Sequence, residues 1–240
     1  MIASPRRRLL AGPVLALLCC AGAASANAEQ PDEANVRPGI NDSFLDEQLD
    51  VDQWVARFEI EAREIYLSRQ AIVERLGLRA GGAVADIGAG TGLFLAPFAE
   101  AVGDTGRVYA VEIAPRFLDH LKERAAREAL SPVRIVEGTT RSVQLPESSV
   151  DLAFVCDVYH HFEYPKASLA SLMKAIRPGG ELVVIDFRLV PGKTREFILD
   201  HVRGDQAVFT REIEQAGFEL VEEVAIDGLE ENYVLRFRRP

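Results

Sequence analysis

With 240 residues, 48% hydrophobic and 27% charged, the chain has the composition of a globular domain long enough to bury a real core. A formal charge of −10 argues against nucleic acid or an anionic membrane surface as the main partner. Acidity by itself selects no substrate.

Residues 1–28 read as a secretory signal peptide. Arg6-Arg7-Arg8 is a cationic start, Leu9 to Ala24 is apolar, and Ala24-Ser25-Ala26 and Ala26-Asn27-Ala28 fit a small-residue cleavage pattern. The twin arginines followed by Leu9-Leu10 suit a twin-arginine export signal, with Pro5 where that signal usually has Ser or Thr. Export, periplasmic in a bacterium, is therefore expected, with an uncleaved leader acting as membrane anchor as the alternative. Cleavage after Ala28 removes three arginines and no acid, taking the charge from −10 to −13, and no stable membrane insertion is expected afterwards. Cys19 and Cys20 would leave with the leader, so Cys156 stands alone, without an intrachain partner, as a small buried hydrophobe.

Residues 29–43 are polar, contain Pro31, Pro38 and Gly39, and are expected to form a flexible linker. From 44 to 76 the period turns helical, with Trp54, Phe58, Ile65, Ile72, Val73 and Leu76 on the apolar face and Gly77 as C-cap.

Residues 77–240 alternate between strand and helix. Val84 to Ile87 read as a buried strand carrying Asp86, followed by Gly88-Ala89-Gly90-Thr91-Gly92 and a helix from Leu93-Phe94. That is a ligand loop at the carboxyl edge of an α/β sheet. Val108 to Val111 form a second strand ending in Glu112, an acid about 20 residues on, where a ribose hydroxyl can be bound. A helix over 115–130 and a third strand over 133–136 lead to Gly138-Thr139. Val150 to Val155 form the fourth strand, followed by Asp157-Val158-Tyr159-His160-His161-Phe162. Adjacent histidines cannot share one face of a strand or helix, so no metal site is expected from this pair. His120 and His201 are isolated in sequence and are expected to be structural. A helix over 166–176, a tight turn at Arg177-Pro178-Gly179-Gly180 and a fifth strand over 181–187 follow. Two helices (196–201 and 205–216) and an antiparallel pair (218–226 and 233–237) close the chain.

The dinucleotide fingerprint G-x-G-x-x-G would need glycine at position 93, where this chain has Leu93. A nicotinamide dehydrogenase is disfavoured accordingly. Instead D-x-G-x-G-x-G, Glu112, the Asp157–Phe162 segment and Arg177–Gly180, in that order, resemble the class I S-adenosylmethionine (SAM) dependent methyltransferases over about residues 77–238. The resemblance implies an α/β, doubly wound, mostly parallel seven-stranded sheet with a C-terminal antiparallel hairpin, preceded by N-terminal helices. It implies SAM as cofactor, held by Asp86, Gly88, Ala89, Gly90, Gly92, Glu112, Thr139 and Asp157. Family members usually have an acid where Thr139 stands. Tyr159 and His160 would then face the transferred methyl or the acceptor, a small molecule the sequence does not identify. The alternative from another class is an exported SAM-fold protein that binds a ligand or partner without methyl transfer, because SAM is made in the cytoplasm.

Overall fold

The computed structural model describes residues 1–2 and 33–240, so the leader expected at 1–28 lies almost wholly outside the described residues. Among the described residues no helix is long and apolar enough to cross a membrane.

Seven strands form one sheet. They are β1 (Ala83–Ile87), β2 (Arg107–Glu112), β3 (Val133–Glu137), β4 (Val150–Cys156), β5 (Ile176–Phe187), β6 (Glu219–Glu223) and β7 (Asn232–Arg238). Their order is β3-β2-β1-β4-β5-β7-β6. The first five run parallel, while β7 is antiparallel to both β5 and β6. The chain reverses between β1 and β4, and a ligand crevice forms at the carboxyl ends of the strands on such a switch point.

Side-chain alternation explains the two-sided core. Ala85, Ala153, Val155, Leu182 and Val184 face one side, under α6 (Pro165–Ala175), α7 (Glu196–His201) and α8 (Gln206–Gln215). Val84, Leu152, Phe154, Val183 and Ile185 face the other, under α3 (Glu64–Leu76), α4 (Leu95–Val102) and α5 (Pro115–Arg127). Phe94, Phe98 and Phe154 meet there with ring centres 4.8–5.5 Å apart.

Three local expectations change. The helical segment 44–76 is broken into α1 (Asp42–Leu45), α2 (Val51–Phe58) and α3. Asp50 caps α2, Glu59 leaves helical geometry, and Arg63 is extended (φ −100°, ψ 122°). The break lets Trp54 and Phe58 face a cavity while Ile65, Ile72, Val73 and Leu76 join the core. Residues 33–43, expected as linker, make specific contacts instead. Glu33 accepts from Lys166 N and Ala167 N at the start of α6, and Val36 N donates to Glu163 O at 2.9 Å. Arg177–Gly180 is an excursion inside β5 rather than a turn before it. Ile176 pairs with Val150, the register shifts, and Glu181 pairs with Leu152.

Candidate functional site

Each central parallel strand carries an acid at, or one residue to either side of, its carboxyl end. Asp86 of β1, Glu112 of β2, Asp157 after β4 and Asp186 of β5 lie along one edge of the sheet, beside a single cavity of about 840 Å3. Asp186, buried and next to the cavity-lining Phe187, is one that the sequence reading missed. Its signal was present, an acid closing an apolar strand as Asp86 and Glu112 do.

The glycine loop closes one end. Gly88, Gly90 and Gly92 all have positive φ, which L-residues adopt at a cost. At Gly88 a Cβ would lie 2.6 Å from Val158, so the loop and the segment after β4 touch there without room for a methyl. The loop is also clamped from outside. Thr91 Oγ1 donates to Glu59 at 2.7 Å, while Arg124 of α5 binds both Glu59 (2.5 Å) and Thr91 O (2.9 Å). Glu59 and Arg124 were not legible, because their pairing depends on how α2 and α5 pack.

Asp86 is buried, lines the cavity, and receives no hydrogen bond from the described residues. Burial, with the nearby Glu112 charge second, pushes its carboxyl up to about 7. An acceptor of this kind, open to the cavity and costly to ionise alone, is a partner for a cation.

Glu112 is already half used. Its Oε1 accepts from Ile113 N (2.7 Å) and Ala114 N (3.0 Å), and its Oε2 accepts from Gly90 N (2.8 Å). A carboxylate oxygen takes two hydrogen bonds, so one position on Oε2 stays open. The geometry thus offers one acceptor position to a ribose hydroxyl and spends the rest on shaping the loop. Burial raises the Glu112 carboxyl, and the three backbone donors oppose that shift. Ala89 and Thr139 also line the cavity, Thr139 folded back through Thr139 N to Ser142 O at 2.8 Å.

Asp157 does not present a free carboxylate. It sits in the left-handed region (φ 53°), bound by Arg63 and by Asn232 Nδ2 at 2.6 Å. Burial raises its carboxyl to about 6 despite Arg63. Non-glycine residues hold such a backbone only when their surroundings fix it, and such residues cluster at functional sites.

The short 3-10 turn Tyr159–His161 separates the two catalytic candidates. Tyr159 points away from the cavity into the core beneath α8 and donates from Oη to Glu212 at 3.0 Å, with Arg203 on the same carboxylate. Burial raises its phenol far above the ordinary value. Its expected place beside the methyl is therefore corrected, because successive residues of a 3-10 turn diverge by a third of a circle. Tyr159→Phe should leave methyl transfer within about threefold and cost about 1 kcal/mol of stability, read by urea unfolding and by a turnover assay.

His160 does face the cavity. Its Nδ1 lies 2.8 Å from Asp186 Oδ1, and Asp186 is fixed in turn by the His160 and Phe187 backbone N–H groups. Its Nε2 is left for the cavity. His161 and His201 also line the cavity, with ring centres 4.3 and 5.2 Å from that of His160. The rings of His160 and His161 thus meet although the residues are adjacent, and α7 brings His201, isolated in sequence, onto them. Phe44, Trp54, Phe58, Phe162, Phe187 and Phe197 line this part of the cavity.

Residues 85–184 match the family described as Methyltransferase domain. The ubiquinone/menaquinone biosynthesis C-methyltransferase UbiE of Shewanella halifaxensis (strain HAW-EB4) is 28% identical over 116 residues, which are 48% of this chain and 46% of that protein. The chain thus spans about half the length of the curated relatives it matches. Among solved structures, a SAM dependent methyltransferase from Aquifex aeolicus aligns with a TM-score of 0.70 at 21% identity, covering 80% of this chain and 99% of that one. The [4+2]-cyclase SpnF aligns at 0.60 and 16% identity, covering 72% of this chain and 80% of that one.

Proposed function

We propose, from the premise that this chain belongs to the class I SAM-dependent methyltransferases, that it transfers a methyl group to a small aromatic molecule bearing an ionisable oxygen. The observation that carries this reading is one continuous cavity. It runs from Asp86 and the glycine loop to an aromatic wall that holds the Asp186–His160 pair. Its volume, about 840 Å3, lies in the upper part of the range of roughly 300–1000 Å3 usual for small-molecule sites and can hold two ligands together.

The residues fit the cofactor. Asp86 supplies the acceptor for its ammonium group, Glu112 Oε2 one acceptor for its ribose, and the glycines room for close approach. When bound, SAM supplies a methyl on a sulfonium, whose C–S bond pair stays with sulfur as the methyl leaves. The chain's part is to hold acceptor and methyl in line, which can be worth about 7–11 kcal/mol of barrier. His160 Nε2 takes the proton from the acceptor's hydroxyl, and Asp186 stabilises the imidazolium that results. The aromatic lining favours a ring as acceptor; the curated relatives are named as C-methyltransferases of ubiquinone/menaquinone biosynthesis.

Calorimetric titration of SAM into the purified protein, with NADH as control, tests the cofactor. Micromolar binding of SAM and none of NADH is expected. The reverse would sink the reading.

A second reading is a ligand-binding or non-methylating protein on the same fold. It draws on the solved neighbour named as a cyclase and on the loss of Tyr159 as a base. Recovery of the demethylated cofactor from the purified protein would decide for methyl transfer. For location we propose export, supported by Arg6–Arg8 and the apolar run that follows them.

A further inference from the structure

We propose that His160, His161 and His201 bind one divalent transition-metal ion of the zinc type at the acceptor end of the cavity. One donor atom from each ring lies within 4.8 Å of the others. His161 Nε2 and His201 Nε2 are 3.3 Å apart. That is the separation of two imidazole nitrogens on one tetrahedral ion with bonds of about 2.1 Å.

The surroundings of each ring favour this assignment. Ligating histidines almost always donate their second N–H to a carboxylate or carbonyl, which fixes the ring and its tautomer. His160 does so to Asp186, which is fully buried. His161 Nδ1 lies 3.1 Å from Asn41 Oδ1. The orientation of that amide is set by the other end, since Asn41 Nδ2 donates to His161 O and to Glu163 Oε1. Both Nε2 atoms are therefore lone pairs turned inward. Without an ion, His201 must keep a proton on Nε2 to meet His161. With one, all three nitrogens ligate.

Three imidazoles make a site for zinc, copper, iron or nickel rather than magnesium or calcium, and three protein ligands leave a position open. Here that position opens on the cavity. An ionised acceptor oxygen completes such a set. This last assignment rests on the methyl-transfer reading: in the metal-loaded protein the ion would ionise the acceptor, and His160 acts as base only in the metal-free chain. The metal site itself does not depend on it.

The test is equilibrium dialysis of the metal-stripped full chain against Zn2+, repeated with Co2+ for its visible absorption. One equivalent of Zn2+ and the Co2+ bands of a four- or five-coordinate nitrogen site are expected. His201→Ala and His161→Ala should each lose at least about 100-fold in affinity, and Asn41→Leu about 10–100-fold. Thermal melting confirms that each variant is folded; His201 is half-exposed, so its replacement spares the core. Asp86→Asn should bind the metal as the parent does, which separates this proposal from the cofactor assignment. Zn2+ binding no tighter in the parent than in folded His201→Ala would overturn it.

Discussion

Asp86→Asn should abolish most SAM affinity while raising the melting temperature of the ligand-free protein. The carboxylate is buried with no donor from the described residues, and both burial and Glu112 resist its ionisation, which is why its carboxyl sits near 7 instead of 3.8. Between those two values the folded chain holds a proton that the unfolded chain has released. Stability therefore falls as pH rises from about 4 to about 7 and stays lower above that. An amide of the same shape removes the penalty. At pH 8 the gain should be about 1–2 kcal/mol, a rise in Tm of roughly 2–8 °C. A cationic ligand reverses the sign. Its ammonium group needs the ionised form, so SAM affinity should climb with pH up to about 7, with proton uptake by buffer below that, and then level off. In Asp86→Asn the affinity should drop about 30–100-fold, near 2–3 kcal/mol, and lose its pH dependence. Calorimetry at pH 6 and 8 in two buffers reads both quantities. A variant that binds as the parent does would remove Asp86 from the cofactor site.

Gly88→Ala should be the most disruptive single methyl addition at the site. The backbone there has φ +70°, and the new Cβ would lie 2.6 and 2.7 Å from the two Val158 methyls. The left-handed conformation costs an L-residue about 1–2 kcal/mol, and the forced overlap adds about 1–3 kcal/mol. The two contributions can be separated. In a double-mutant cycle, Val158→Ala should recover the overlap and leave the backbone penalty, giving a favourable coupling of about 1–3 kcal/mol. Simple additivity of the two urea-unfolding costs would mean that loop and post-β4 segment do not meet. Gly90 makes the useful control, since its Cβ would meet nothing closer than 3.9 Å while its φ is also positive.

These two residues were visible in the sequence because both belong to local patterns. An apolar run closed by an acid, then glycines at alternate positions, states a strand, a turn and a reason for the turn within nine residues. The doubly wound sheet, covered on both faces, followed from the alternation of strands and helices along the chain. What stayed hidden was placed by partners far away in the chain. Tyr159 and His160 look equally available in one dimension, and a single 3-10 turn sends one to Glu212 and the other to Asp186. His201 looks isolated until α7 folds back. Residues 33–43 read as linker because their polar groups carry no period. Glu33, Asn35 and Asn41 spend those groups on the ends and turns of other elements.

Asp157 also sets an order of assembly. Its two partners come from opposite directions, Arg63 from 94 residues before it and Asn232 from 75 residues after it. Asn232 opens β7, and β7 inserts between β5 and β6, so β6 leaves the ribosome before the strand it pairs with exists. The cofactor loop can form from local contacts early, but the wall around Asp157 cannot close until the last strand has threaded into its gap. Contacts this distant in sequence slow folding. A chain cut short before β7 would keep every glycine of the loop and still lack the site.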